Sequence, residues 1–159
     1  MADVMALRQA QATFKTVCQM LDSRNLKYSK NESEFRIEFG MNGDDIPMSF
    51  ILIVDAERQV FRLISPFPFK VPEDKRLDLA IAVSIVNNSL VVGAFSFDIN
   101  DGSLHFRVAN SFHGSLIGEE SFGFLLYAAV TLIDKYNDRF MMLAKGMTSL
   151  EQFFENETK

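Results

Sequence analysis

Residues 74–110 read DKRLDLAIAVSIVNNSLVVGAFSFDINDGSLHFRVAN, and this stretch decides the fold. Leu77, Ile81 and Ile85 recur at helical spacing, and Leu79, Ala82, Val83 and Val86 widen the apolar stripe. Asn87-Asn88 ends the helix, and the period then changes from 3.6 to 2. Phe95, Phe97 and Ile99 alternate with Ser96 and Asp98, and Asp101-Gly102 supplies a tight turn. The return strand sets Leu104, Phe106 and Val108 against Ser103, His105 and Arg107. A buried helix running into a hairpin is the expectation.

Working outward, residues 3–24 form an amphipathic helix with Met5, Phe14, Val17, Cys18 and Leu21 on its apolar stripe and Asp3 as N-cap. Residues 22–31 are polar, with Leu26 and Tyr28 at a possible strand start. Phe35, Ile37, Phe39 and Met41 alternate with Glu34, Arg36 and Glu38, which makes a strand with one wet side. Met48–Val54 is nearly continuous in apolar residues and reads as a central strand covered on both faces. Gln59–Ser65 returns as a third strand, and the three prolines at 66, 68 and 72 are expected to end it. Pro72 with Glu73 and Asp74 suits the first turn of the next helix. Glu119–Lys145 is the longest helix, closed by Gly146, and Ser149 or Thr148 caps a short terminal helix bearing Leu150, Phe153 and Phe154.

The order α–βββ–α–ββ–α–α predicts an α+β fold with a five-stranded antiparallel sheet and helices on one face. No repeat, low-complexity tract or linker divides residues 1–159, so a single domain is expected, with 144–159 as a short helical extension. One-sided helices leave Ile51 and Ile53 without cover, so a homodimer is expected to supply it.

Composition narrows the function. Apolar residues make up 48% of the chain, enough to close a core. The formal charge of −5 argues against a nucleic-acid or anionic-membrane surface. Sixteen Phe against three Tyr and no Trp favours packing over amphipathic recognition chemistry. The lone Cys18 sits in an apolar stripe and reads as a packed thiol in a reducing cytoplasm, and no apolar run is long enough to cross a bilayer.

The run IVNNSLVVGAFSFDINDGSLHFRVAN, followed by Glu119-Glu120-Ser121 and a long apolar helix, resembles the YbjN family. The residues that carry the likeness are Asn87, Asn88, Gly93, Phe95, Asp98, Asp101, Gly102 and Phe106, and it extends over about residues 5–145. The resemblance implies a fold like that of type III secretion chaperones. It further implies a small, often dimeric cytoplasmic protein, in places labelled a sensory-transduction regulator. It brings no catalytic residue, and the chaperone likeness implies binding of an extended peptide or protein partner.

No chemical motif competes with that reading. Asp98, Asn100, Asp101 and Gly102 miss calcium-loop spacing and stand as a hairpin turn. His105 and His113 lack ligand spacing, so neither metal nor cofactor is expected. SFHGS and IGEES lack a nucleophile elbow, so no enzyme is expected. Gly114 and Gly118 precede a helix start, but Glu119 and Glu120 would repel an anion there. Phe67 and Phe69 fall outside any period and, with Phe153 and Phe154, are the candidate partner-docking residues. The function expected is a non-enzymatic chaperone-like interaction module; the alternative is a small-ligand sensor with a Phe-lined pocket between sheet and long helix.

Overall fold

The computed structural model describes residues 3–158. Helix α1 (Val4–Ser23) leads to four strands, β1 (Tyr28–Asn31), β2 (Arg36–Met41), β3 (Met48–Asp55) and β4 (Val60–Lys70). A 3-10 turn at Glu73–Lys75 enters α2 (Arg76–Asn87). The hairpin β5 (Ala94–Phe97) and β6 (Ser103–Ser111) follows, then α3 (Glu119–Ala144) and α4 (Leu150–Glu157). Every strand pairing is antiparallel, in the order β1-β2-β3-β4-β6-β5.

The class is the expected α+β, with six strands rather than five. The extra strand is β1, where Tyr28 pairs with Phe39 and Asn31 with Arg36. Tyr28 is half-buried and the other three residues are exposed, so β1 carries no alternation for a sequence reading to find.

The prolines do not end the third strand at Ser65. β4 runs on to Lys70, with Pro66 opposite His105 and a register shift before Lys70 meets Ser103. Pairing with β3 stops at Ile51–Ile64, so the prolines lie where β4 has only β6 beside it. A missing N–H is tolerated there, and the bulge absorbs the rest. β5 is shorter than expected. Phe97 is its last residue, and Ile99 is exposed in the turn. Gly102 (φ +78°) takes the left-handed backbone that this turn requires, and a Cβ on it would lie 2.3 Å from the Val71 carbonyl oxygen.

All four helices pack on one face of the sheet. α1 lies on β3 and α3, α3 crosses β4 and β6, α2 covers β5, and α4 leans on α2 and α3. Asp3 caps α1 as expected, its carboxylate accepting from the Ala6 N–H at 2.7 Å. Ser149 and Gln152 form a reciprocal capping box on α4. The core is a lattice of rings. Phe140 stands within 5.1 Å of Phe95, 5.7 Å of Phe153 and 5.9 Å of Tyr136 by ring centroids.

Two apolar stripes point away from this core. In α2 the buried residues are Leu79, Ala82, Val83 and Val86, whereas Leu77 and Ile81 are exposed and Ile85 half-buried. Met5 of α1 is exposed as well. An almost wholly apolar helix offers two competing faces, and packing against β5 and α3 selected one.

Candidate functional site

The two sheet edges differ. At β5 the side chain of Asn87 closes the outer edge: its Nδ2 donates to the Phe95 carbonyl at 2.8 Å, and its Oδ1 accepts from the Phe95 N–H at 2.9 Å. One amide thus takes the place of a neighbouring strand, which blocks main-chain pairing at that point. At the other edge, β1 borders a groove of about 470 Å³ against α1.

Phe14, Cys18 and Ala12 from α1, with Phe35 from the turn before β2, supply the apolar part of this groove. The Phe14 and Phe35 rings are tilted against each other at 5.7 Å. Arg8, Lys15 and Lys30 line it as cations, and Glu32, 2.6 Å from the Lys30 ammonium, is the one acid in the lining. Burial pushes the Cys18 thiol up, so it is an unreactive wall rather than a nucleophile. The groove can therefore seat an apolar side chain whose flanking residues are acidic.

The sheet face opposite the helices holds the second site. Strand register lines up Ser29, Glu38, Ile51, Ile64, Arg107 and Ala94 in one row across the sheet. The neighbouring row reads Asn31, Arg36, Ile53, Arg62 and Ala109. Ile51, Ile53 and Ile64 are half-buried by their neighbours alone. β3 is therefore covered on one face within the chain, not on both. Beside these isoleucines, Pro66, Phe69 and His105 border a shallow depression of about 580 Å³.

Burial first, and Arg107 second, hold His105 below the ordinary imidazole value of 6.5. The unfolded chain takes its proton near pH 6.5, and the folded chain only at lower pH. Stability is therefore complete above about pH 6.5 and falls as pH drops through that value toward the depressed folded-state pKa. The His105→Gln variant should show a flatter Tm-against-pH curve across this window; an unchanged slope would refute the assignment.

The four aromatic docking candidates are divided. Phe67 is buried against Phe69 and Phe95, and Phe153 is buried against Phe140. Phe69 is half-buried at the rim of the depression, and Phe154 is exposed beside Ile85 of α2. His113 contacts the Gln59 side chain and lies on the surface, apart from His105. Asp98 and Asp101 close the hairpin turn, accepting from the Asn100 and Ser103 N–H groups at 2.8 Å. The Ser103 donors and Lys70 hold the Asp101 carboxyl well below its usual range. Among the described residues no group of three or more His, Cys, Asp or Glu could hold a metal ion. No described helix is long and apolar enough to cross a membrane. The space between sheet and α3 is occupied by Phe61, Phe95, Phe106, Phe122 and Phe140, all buried.

Reading the sequence missed the groove residues Arg8, Lys15, Lys30, Glu32 and Phe35 and the row from Glu38 to Arg107. Alternation in β2 and β6 showed that Glu38 and Arg107 face away from the core. Nothing local showed that they share a row.

Solved structures similar in fold include three that cover most of this chain. YbjN of E. coli, described as "a putative transcription regulator", aligns with TM-score 0.59 at 14% identity, covering 79% of this chain and 92% of its own. A chain of the HopA1–SchA chaperone–effector complex aligns at 0.53 and 13%, covering 81% of this chain and 96% of its own. A chain of the ExsC–ExsE complex aligns at 0.55 and 14%, covering 84% of this chain and 93% of its own. The fold is thus that of the type III secretion chaperones. No curated protein matches the chain. A family profile described as "Putative bacterial sensory transduction regulator" matches residues 13–142, and the chain accordingly belongs to the YbjN family.

Proposed function

We propose that this chain is a non-enzymatic, chaperone-like protein-binding module of the cytoplasm, acting as a homodimer. All of residues 1–159 serve as one unit. It holds an extended segment of a partner protein in the groove between α1 and β1. One observation carries this reading. The β1 end of the sheet borders an apolar groove rimmed by Arg8, Lys15 and Lys30, whereas the β5 end is plugged by Asn87. An added strand can gain main-chain hydrogen bonds along β1 and place alternate side chains in the groove. The lining charge favours an acidic segment with an aliphatic or aromatic anchor. Of the four aromatic docking candidates, the two with accessible surface, Phe69 and Phe154, stand as secondary contacts.

The test compares native capture by the wild-type protein with capture by Ala12→Arg, which fills the groove, and Lys15→Glu, which reverses its charge. Lys15 is exposed, Ala12 is half-buried in the groove wall and neither belongs to the core, so thermal stability should stay within a few degrees of wild type. The expected result is a stoichiometric protein captured by the wild type and reduced at least tenfold by either variant. Failure to recover such a protein, or capture indifferent to both substitutions, would overturn the groove reading.

A further inference from the structure

The open sheet face has an arrangement of charge that identifies its occupant. We propose that two copies of the chain meet through this face, about a two-fold axis that lies along the strands between β3 and β4. The inference rests on the homodimer reading and adds its geometry.

The argument is one of register. Across β2, β3, β4 and β6 the first row reads Glu38, Ile51, Ile64, Arg107: acid, apolar, apolar, base. A two-fold axis along the strands turns this row over onto itself. Glu38 then faces Arg107 of the second copy, Ile51 faces Ile64, and each contact occurs twice, as an isologous interface requires. In the next row Ile53 faces Arg62, whose methylene stem can lie along it, and Arg36 faces Ala109. No acid meets an acid and no base meets a base.

The other two-fold axis available to stacked sheets runs across the strands. Run through this row, it would lay Arg107 on Arg107 and Glu38 on Glu38, whereas the axis along the strands sets acid against base in this row. Within its own chain Glu38 already accepts from the Arg36 Nε at 2.7 Å. In the dimer it would sit between two guanidinium groups, which compensates the loss of water. Ile51, Ile53 and Ile64, left half-buried by the monomer, form the dry centre. Two such faces stack in the aligned manner of β-sandwich sheets.

Light scattering on the full chain at micromolar concentration, combined with a charge swap, tests the geometry. The wild type should be a dimer. Arg107→Glu and Glu38→Arg should each weaken dimerisation at least tenfold while far-UV circular dichroism stays unchanged, since both side chains lie outside the core. The double variant E38R/R107E should restore the dimer. A wild-type dimer that neither single variant weakens would overturn this face while leaving the homodimer reading intact. Loss of the dimer without rescue by the double variant would overturn the two-fold axis. A monomeric wild type would overturn the homodimer reading together with this inference, and the groove would still stand on its own capture test. Binding of an acidic extended segment to this face in a monomeric protein, lost in R107E, would overturn the proposal in favour of a heterologous partner.

Discussion

Replacing Phe140 with Ala should lower stability by about 3–5 kcal/mol, the usual range for removing a buried aromatic ring. The ring is fully buried in α3 and contacts rings from four different segments: Phe67 of β4, Phe95 of β5, Tyr136 of its own helix and Phe153 of α4. Every one of those neighbours is itself anchored, so the space left behind cannot close by the movement of one side chain. For a chain of this length the loss corresponds to a Tm decrease of roughly 6–20 °C. Phe140→Leu, which keeps most of the volume, should cost clearly less. Chemical denaturation of the two variants measures both, and a loss below about 1 kcal/mol for the Ala variant would show that the aromatic lattice is not the core of this fold. α4 should also loosen in Phe140→Ala, because Phe153 stacks on Phe140 at an interplanar angle of 16°.

Asn87→Ala comes next in size, at about 2–3 kcal/mol, and acts through hydrogen bonds rather than volume. The substitution leaves the Phe95 N–H and C=O, on a residue only 3% exposed, without either of their partners. Each orphaned buried group costs roughly 1–3 kcal/mol, reduced where water can reach the new edge. The backbone consequence is specific. The Phe95 amide should lose its protection against hydrogen exchange, while amides in the centre of β3 keep theirs. The uncovered edge should also make the variant prone to pair with other chains. A Phe95 amide that stays protected in the variant would refute the clamp.

Asn87 shows how far the sequence could be read. As the last residue of α2 it is legible as a helix end, because an Asn pair after an apolar helical run stops the period. Its second role depends on α2 packing against β5 so that the side chain reaches an edge eight residues further on. Propensity cannot express that. The same holds for Phe67 and Phe69, adjacent in pattern and separated in fate. The continuation of β4 past Pro66 turns Phe67 into the core and leaves Phe69 at the rim of the open face. Three prolines predict a stop because a central strand needs its N–H groups. They are tolerated because the β3–β4 pairing has already stopped at Ile51–Ile64.

Periodicity and turn chemistry by themselves determined the element order apart from β1, the α+β class, the cap at Asp3, the capped start of α4 at Thr148 or Ser149, and the alternation that puts Leu104, Phe106 and Val108 inward. These are local properties, settled by neighbours one to four residues apart. Only the tertiary structure decided which stripe of α2 turns inward, that β1 joins the sheet, that Asn87 closes one edge while the other borders the α1 groove, and that Glu38, Ile51, Ile64 and Arg107 share a row. The reason is physical. A period fixes the face on which a side chain stands, but strand register and helix docking fix its neighbours, and these follow from the packing of the whole chain.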